Sequence, residues 1–207
     1  MPTLLAINVS PRVENSVSRK LTIRFVEHWK AAHPDGVTIM RDLVETPPPF
    51  IDLSWIGGAF TPSEQHSPDM REAMRVSDEF IAELMAADHI LIGTPMFNFS
   101  IPAALKAYID QVVRVGVTVT PQYEGALRGK KATVILVSGS SFAIGPSCNS
   151  ASTYLQQILG FMGIADVAVV LAGGTLKVDT GRTTFADFAA QFDAPLSDAA
   201  KADFVAR

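Results

Sequence analysis

Five short apolar runs recur along the chain, and segments with the three- and four-residue spacing of amphipathic helices separate them. The runs cover residues 4–9, 37–40, 90–93, 131–137 and 167–171. Strands that are buried on both faces have continuous apolar sequences of this length, and strands that alternate with helices are typical of parallel sheets. The sequence therefore predicts an α/β fold: a doubly wound, five-stranded parallel sheet with strand order 2-1-3-4-5 and helices on both faces.

The size and composition of the chain fit one globular domain that spans residues 1–207. Of its 207 residues, 48% are hydrophobic and 18% are charged, and the net charge of −4 provides no basic surface for nucleic acid. No apolar run approaches the roughly 20 residues needed to span a bilayer, and the first residues lack the pattern of a signal peptide. A single cysteine, Cys148, excludes an intrachain disulfide. We therefore expect a cytoplasmic protein that binds neither membranes nor nucleic acid.

The third apolar run leads into a loop of unusual chemistry at residues 94–100, with the sequence T-P-M-F-N-F-S. In open α/β sheets, ligands bind at the carboxyl ends of the strands. Met96, Phe97 and Phe99 can cover a flat ring, while the Asn98 amide and backbone N–H groups can hydrogen-bond its edge. An isoalloxazine ring needs this combination. The alternative is that the aromatic side chains only fill the core beneath the helix that follows.

A second candidate loop lies between the first apolar run and the first helix. Ser10, Ser16 and Ser18 supply hydroxyl donors there, and Arg12 supplies positive charge. The N–H groups at a helix start are free to bind an anion, and the helix dipole favours that binding. The segment contains no glycine, so it is neither a P-loop nor a G-x-G-x-x-G motif, and its hydroxyl groups suit a terminal monophosphate. The alternative is ordinary capping of the helix by Ser16.

A third candidate loop follows the fourth apolar run and has the sequence S-G-S-S at residues 138–141. Small residues of this kind allow the backbone to approach a ligand closely. In the predicted strand order, the strands that precede these three loops are neighbours, so one ligand can contact all three loops. This convergence supports a binding site more strongly than any one of the loops.

Several segments of the chain resemble the FMN-dependent NADH-azoreductases, which are also quinone reductases and have a flavodoxin-like fold. The similar segments are P-M-F-N-F at residues 95–99, I-P-A-A-L-K at 101–106, R-V-G-V-T at 114–118 and a helix pattern at 154–164. The resemblance implies an FMN cofactor, NADH or NADPH as electron donor, a quinone or azo compound as acceptor, and a homodimer. The chain departs from the family's S-R-G-G pattern at residues 138–141, where only Ser138 is retained.

The resemblance also implies a role for each candidate site residue. The phosphate would be held by Ser10, Ser16, Ser18 and the backbone N–H of Val17. The ring would lie against Pro95, Met96, Phe97, Asn98 and Phe99, and its pyrimidine end would contact Ser138, Gly139, Ser140 and Ser141. No side chain is expected to be catalytic, because the flavin carries the chemistry and Phe97 and Asn98 position the ring. In this family, the nicotinamide gives a hydride to flavin N5 and leaves before the acceptor binds, which is a ping-pong sequence.

Two other functions stay open from the sequence: a flavodoxin-type electron carrier and a flavin-binding regulatory protein without turnover. The modest charge and the long extra loops argue against a carrier. The histidines, His28, His33, His66 and His89, do not have metal-ligand spacing, so we expect no metal site. Cys148 is either a reactive thiol or a bystander.

The apolar residues outside the predicted core suggest a second copy of the chain as partner. Residues 43–67 are predicted to form a long irregular loop with Phe50, Trp55 and Phe60, and the helix at 101–115 adds Tyr108, Val112 and Val113. Because monomers seldom expose so much apolar surface, we expect a homodimer in which these side chains meet the partner. The alternative is that they cover one another within one chain.

Overall fold

The computed structural model describes residues 1–141 and 149–201, and a parallel sheet with strand order β2-β1-β3-β4-β5 forms its centre. The strands are β1 (Thr3–Asn8), β2 (Val37–Asp42), β3 (His89–Pro95), β4 (Lys131–Ser138) and β5 (Asp166–Gly173). Each neighbouring pair runs parallel. The predicted fold class and strand order are therefore confirmed.

Helices cover both faces of this sheet. They are α1 (Val17–Ala32), α2 (Leu53–Phe60), α3 (Pro68–Ala86), α4 (Ala103–Val112), α5 (Ser150–Phe161), α6 (Leu176–Asp179), α7 (Phe185–Ala190) and α8 (Asp193–Ala200). Side chains from α3, α4 and α5 form the core on one face, and side chains from α1, α7 and α8 form the core on the other. None of the helices within residues 1–141 and 149–201 is long and apolar enough to cross a membrane.

Successive residues of the central strands serve the two cores in turn. Leu5 and Ile7 of β1 belong to the core beneath α3 and α4, whereas Leu4 and Ala6 belong to the core beneath α1. All four are fully buried. Because strand side chains alternate between the faces, a strand covered on both sides must be apolar at every position, which explains the continuous apolar runs.

Helix α1 lies unusually close to β3 because Gly93 has no side chain. A Cβ atom at Gly93 would lie only 2.0 Å from Oγ1 of Thr22, which is fully buried on α1. The helix starts at a capping residue, Ser16, whose Oγ accepts a hydrogen bond of 3.3 Å from the Arg19 amide. This close contact keeps the first turn of α1 at the carboxyl edge of the sheet.

Residues 43–67 are not the irregular loop that the sequence predicts, because they contain helix α2. Asp52 caps this helix by accepting a hydrogen bond of 2.8 Å from the Trp55 amide. A Cβ atom on Gly57 would lie 2.6 Å from Met70 Cε, and one on Gly58 would lie 2.5 Å from Met74 Sδ. The two glycines therefore permit close packing of α2 on α3, whereas sequence reasoning treats a glycine pair as a helix breaker.

The indole of Trp55 fixes α2 to α4 through a buried glutamine. Trp55 Nε1 donates to Gln111 Oε1 at 2.8 Å, and Gln111 Nε2 donates to the Pro49 carbonyl at 3.0 Å. Leu53 and Phe60 on α2 are 86% and 79% exposed, and Phe50, in the segment just before the helix, is 77% exposed. We call these three residues together the apolar face of α2.

The helix α4 does not provide the exposed apolar surface that the sequence predicts. Tyr108 and Val112 are buried within their own chain, and the Tyr108 ring lies 5.1 Å from the ring of Phe80 on α3. Trp55 is also buried. For these residues the alternative is correct, because α3 and α2 cover α4. The exposed apolar surface lies instead on the apolar face of α2.

Polar groups close the opposite, amino end of the sheet. The Lys130 ammonium group is buried and donates to the carbonyl groups of Met85 and Ala87, at the carboxyl end of α3. His89 Nε2 lies 2.9 Å from Thr133 Oγ1, and the His89 ring packs edge-on against Phe25. Burial is the main cause that lowers the pKa of His89 to about 4.

Candidate functional site

A cleft opens at the carboxyl edge of the sheet, above β1, β3 and β4. It holds about 470 Å³ of space when the part open to solvent is included. Its lining comes from four segments of the chain: Ser10, Arg12, Ser16, Val17, Ser18, Pro95, Met96, Phe97, Val137, Ser138, Gly139, Thr175 and Asp179. The three loops predicted to converge on one site therefore all contribute to its wall.

One end of the cleft is rich in hydroxyl groups. Ser10, Ser16 and Ser18 are each at most 2% exposed, and the Ser16 and Ser18 hydroxyl oxygens lie 3.0 Å apart. Val17 and Ser18 begin α1, so their amide N–H groups have no acceptor within the helix. Ser16 also caps α1, so the capping alternative holds alongside the cleft position. This end therefore combines hydroxyl and amide donors at the positive end of a helix dipole, which suits an anion.

An ion pair supports this loop from outside the cleft lining. Arg19 Nε donates to the Ser10 carbonyl at 2.8 Å, and the Arg19 guanidinium binds both carboxylate oxygens of Asp42. The Asp42 side chain is 16% exposed. Burial alone would raise the pKa of Asp42, but hydrogen bonds from Arg19 and from the Val44 amide together lower it. The pair joins the end of β2 to the loop after β1.

A second ion pair crosses the cleft. The two Arg12 Nη atoms donate to the two Asp179 carboxylate oxygens at 2.9 and 2.7 Å. The hydrogen bonds of this pair lower the pKa of Asp179 and raise that of Arg12. Arg12 follows β1 and Asp179 follows β5, and these strands are separated by β3 and β4. The bridge therefore spans the strand ends above which the cleft opens.

The other end of the cleft is a tight hairpin. Phe97 and Ser100 exchange backbone hydrogen bonds of 2.9 and 3.0 Å, and the two residues between them, Asn98 and Phe99, have φ values of 49° and 67°. Two successive positive φ values define the two-residue type I′ turn of a β-hairpin. A phenylalanine in this region is strained by roughly 1–2 kcal/mol, and such strain clusters at functional sites.

The aromatic side chains of the hairpin project outward. Phe97 and Phe99 are 45% and 62% exposed, so the alternative that they fill the core is wrong. Met96 is partly buried against the core, and its amide donates to the Val137 carbonyl at 2.7 Å. Phe97 lines the cleft, whereas Asn98 and Phe99 lie outside its lining, at the tip of the turn.

The loop after β4 forms the third wall. The Ser138 carbonyl accepts hydrogen bonds from the amides of Gly174 and Thr175 and from the Thr175 hydroxyl, at 3.0, 3.1 and 3.2 Å. Apart from the residues next to it in the chain, no atom of residues 1–141 and 149–201 lies within 4 Å of a Cβ placed on Gly139, so this part of the chain leaves the backbone there open to a ligand. Ser140 and Ser141 lie outside the cleft lining, and Ser141 lines a neighbouring cavity.

Sequence reasoning missed the contribution of the segment after β5. Thr175 and Asp179 line the cleft, although only the loops after the first, third and fourth strands were expected there. The signal was available, because the predicted order places the fifth strand beside the fourth. Within residues 1–141 and 149–201, no group of three or more His, Cys, Asp or Glu could hold a metal ion. Cys148 lies outside the described residues.

Comparisons with known proteins agree with this architecture. A family model described as flavodoxin-like fold matches residues 2–196. The chain is 44% identical over 203 residues to an FMN-dependent NADH:quinone oxidoreductase of Burkholderia lata, and this match covers 97% of each of the two chains. It is 47% identical over 194 residues to a protein of the same description from Acidobacterium capsulatum, and this match covers 89% of this chain and 94% of the relative.

A solved structure extends the likeness to three dimensions. The crystal structure of azoreductase from Bacillus anthracis matches with a TM-score of 0.84 at 25% identity and covers 97% of this chain and 99% of that one. Sequence relatives and structure agree over nearly the full length of the chain. The chain therefore belongs to the flavodoxin-like family, and within it to the FMN-dependent NADH:quinone oxidoreductases.

Proposed function

We propose that the protein is an FMN-dependent NADH:quinone oxidoreductase that also reduces aromatic azo compounds. The observation that carries the proposal is the cleft itself. It joins the buried hydroxyl groups of Ser10, Ser16 and Ser18 at one end to the outward-facing ring of Phe97 at the other. A ligand that fits both ends must carry a terminal anion and a flat ring, as FMN does.

The phosphate would be held by the start of α1 and the loop before it. Ser10, Ser16 and Ser18 would donate their hydroxyl protons, and Val17 would donate its backbone N–H. Charge-assisted hydrogen bonds of this kind are about twice as strong as neutral ones. A flavin without the phosphate would lose all of these bonds, so we expect strong preference for FMN over riboflavin.

The ring would be held by the hairpin and by the loop after β4. Pro95, Met96 and Phe97 would supply apolar contacts, with Asn98 and Phe99 at the tip of the turn. Ser138 and Gly139 would approach the pyrimidine end, where the space around Gly139 is open. Ser140 and Ser141 would contact the ring only if this loop adjusted, because both lie outside the cleft lining.

A bound FMN would supply the two-electron redox chemistry that links NADH oxidation to reduction of a quinone or azo acceptor. The chain's own residues would bind and orient the ring and keep one of its faces accessible. The rings of Phe97 and Phe99 are exposed, so a second planar molecule could contact them beside the hairpin. If donor and acceptor use the same place in turn, initial-rate plots against both substrates should give parallel lines, the ping-pong pattern.

The test combines binding with turnover. The purified apoprotein is titrated with FMN and with riboflavin by fluorescence, and the FMN-loaded protein is then assayed with NADH and benzoquinone. We expect FMN to bind far more tightly than riboflavin and NADH oxidation to depend on both FMN and quinone. Equal affinity for the two flavins would refute the phosphate site. Tight FMN binding without turnover would instead favour the electron carrier or the regulatory protein.

We also infer a homodimer that uses the apolar face of α2. Phe50, Leu53 and Phe60 lie on a segment that Trp55 and Gln111 hold in place, so little ordering is needed before they can pack against a partner. A second copy of the chain would bury them in a two-fold contact. Whether the partner also closes the flavin site follows from the FMN affinity of a monomeric variant.

The dimer is tested with a charge placed on this face. Leu53→Asp should dissociate the dimer in sedimentation velocity at micromolar concentration, because Leu53 is 86% exposed and the change would bury a carboxylate in the interface. Ile23→Asp is the matched control, since Ile23 is 55% exposed on α1, away from α2. A wild-type protein that sediments as a monomer with full turnover would contradict the dimer.

A further inference from the structure

Arg19 occupies a position where a cation is electrostatically unfavourable. It lies in the first turn of α1, and that turn contains no acidic residue. The amino end of a helix carries partial positive charge, so a cation there is destabilising. Its neighbours in the structure show what offsets this cost, because the guanidinium is paired with Asp42 and only 13% of the side chain is exposed.

The contacts of Arg19 fix the loop between β1 and α1 at both ends. At the start of the loop, Arg19 Nε donates to the Ser10 carbonyl at 2.8 Å. At its end, the Arg19 amide donates to Ser16 Oγ at 3.3 Å. The side chain of Arg19 therefore ties Ser10 to the same helical turn whose backbone holds Ser16.

The bond to Ser10 matters for an anion because a carbonyl oxygen repels it. Ser10 lines the cleft and carries both an acceptor, its carbonyl, and a hydroxyl group, whose oxygen accepts a hydrogen bond of 3.3 Å from the Arg12 amide. With the carbonyl engaged by Arg19, the loop presents the Ser10 hydroxyl to the cleft instead of competing with the anion through a free acceptor. An anion site needs this separation of donors from acceptors.

Asp42 holds Arg19 in this orientation. It binds the guanidinium through both oxygens, and Asp42 Oδ1 also accepts a hydrogen bond of 2.9 Å from the Val44 amide. The carboxylate neutralises the guanidinium, so the net charge that the pair adds near the cleft is close to zero. The geometry of the fork, and not its charge, is then what Arg19 contributes.

We propose that Arg19, oriented by Asp42, is a positioning residue that shapes the Ser10–Ser16 loop for a phosphate monoester and thereby sets the preference for FMN over riboflavin. This inference rests on the proposed function, since it assigns the phosphate of FMN to this loop. Neither the azoreductase resemblance nor the cleft lining includes Arg19 among the contact residues.

The test measures FMN and riboflavin affinities of apoprotein variants by fluorescence titration. Arg19→Gln should weaken FMN binding about tenfold, the loss expected for one or two charge-assisted hydrogen bonds, and change riboflavin binding less than about twofold. Arg24→Gln is the matched control, because Arg24 lies on the same helix and pairs with Asp193 away from the cleft. It should leave both affinities unchanged.

Arg19→Lys separates geometry from charge. Lysine keeps the positive charge but cannot bind Ser10 and Asp42 at once with a planar fork, so we expect it to weaken FMN nearly as much as Arg19→Gln. Wild-type FMN affinity in Arg19→Lys would overturn the proposal, and so would an equal loss of both flavins in Arg19→Gln. Urea denaturation of each apoprotein confirms that it is folded. If the wild type itself does not prefer FMN, the proposed function fails instead.

Discussion

Adding one methyl group at Gly93 should loosen the contact that holds α1 on the sheet. In Gly93→Ala, the new Cβ would lie 2.0 Å from Thr22 Oγ1. The same Cβ would lie 3.4 Å from Thr22 Cβ and 3.6 Å from the carbonyl oxygen of Ser18. The first distance is more than 1 Å shorter than an ordinary van der Waals contact. Because Thr22 is β-branched and fully buried, it has little freedom to rotate away, so α1 must shift.

The size of the effect follows from the cost of overpacking a core. Forcing a methyl group into a packed site costs about 1–3 kcal/mol, and for a chain of this length about 2 kcal/mol lowers Tm by roughly 4–8 °C. The shift should also move Ser16 and Ser18, at the start of the same helix, and weaken FMN binding. Urea denaturation of the apoprotein measures the first effect, and fluorescence titration measures the second.

Two further variants make the reasoning refutable. Thr22→Ala removes the Oγ1 atom that clashes and leaves a contact of 3.4 Å, so Thr22→Ala combined with Gly93→Ala should recover most of the lost stability. Gly160→Ala is the matched control: outside its own helix backbone, no atom of residues 1–141 and 149–201 lies within 4 Å of the added Cβ, and α5 should gain about 0.5–1 kcal/mol. Wild-type stability in Gly93→Ala, or no recovery in the double variant, would refute the argument.

Three other predictions concern separate parts of the molecule. The pKa of His89 is lowered from 6.5 to about 4 in the folded protein, so as the pH falls His89 is protonated in the unfolded chain before it is protonated in the folded one. The free energy of unfolding should therefore decrease by up to about 3 kcal/mol between pH 6.5 and 4. His89→Phe should remove this pH dependence from free energies of unfolding measured by urea denaturation at several pH values, and an unchanged pH dependence would contradict the prediction. Ser18→Ala should weaken FMN by roughly 1–2 kcal/mol in a fluorescence titration while leaving riboflavin unaffected, since it removes a hydroxyl donor; equal losses would argue against a phosphate contact. Gln111→Leu should lower the free energy of unfolding by about 2–4 kcal/mol, because it leaves the Trp55 indole N–H and the Pro49 carbonyl without their partner; a neutral result would show that water replaces Gln111.

The sheet was predictable because burial on both faces leaves a direct trace in the sequence. Each strand of the structure overlaps one apolar run, and the strand order follows from the rules for doubly wound sheets. The same order places the carboxyl ends of β1, β3 and β4 side by side. The position of the cleft could therefore be predicted from the strand order alone.

The errors have a common physical origin, which is packing between distant segments. Gly57 and Gly58 look like helix breakers, and only the presence of Met70 and Met74 on α3 shows that they allow close contact. Tyr108 looked like surface because its neighbours on α3 cannot be identified from periodicity. Likewise, the ion pair between Arg12 and Asp179 cannot be predicted from the sequence, because the strands that precede the two residues are separated by two others in the sheet.

The hairpin at residues 97–100 has a consequence for changing the acceptor range by laboratory evolution. Its two backbone hydrogen bonds lie between Phe97 and Ser100 and involve no other part of the chain, and Met96 is tied separately to β4. The side chain at Phe99 can therefore be exchanged without moving the strand beneath it. Asparagine and glycine are the residues that best tolerate positive φ, so libraries that sample contacts at Phe99 should keep Asn98 and include glycine at Phe99. The backbone of the turn is fixed by its own two hydrogen bonds, so the side chain that it presents to solvent can vary.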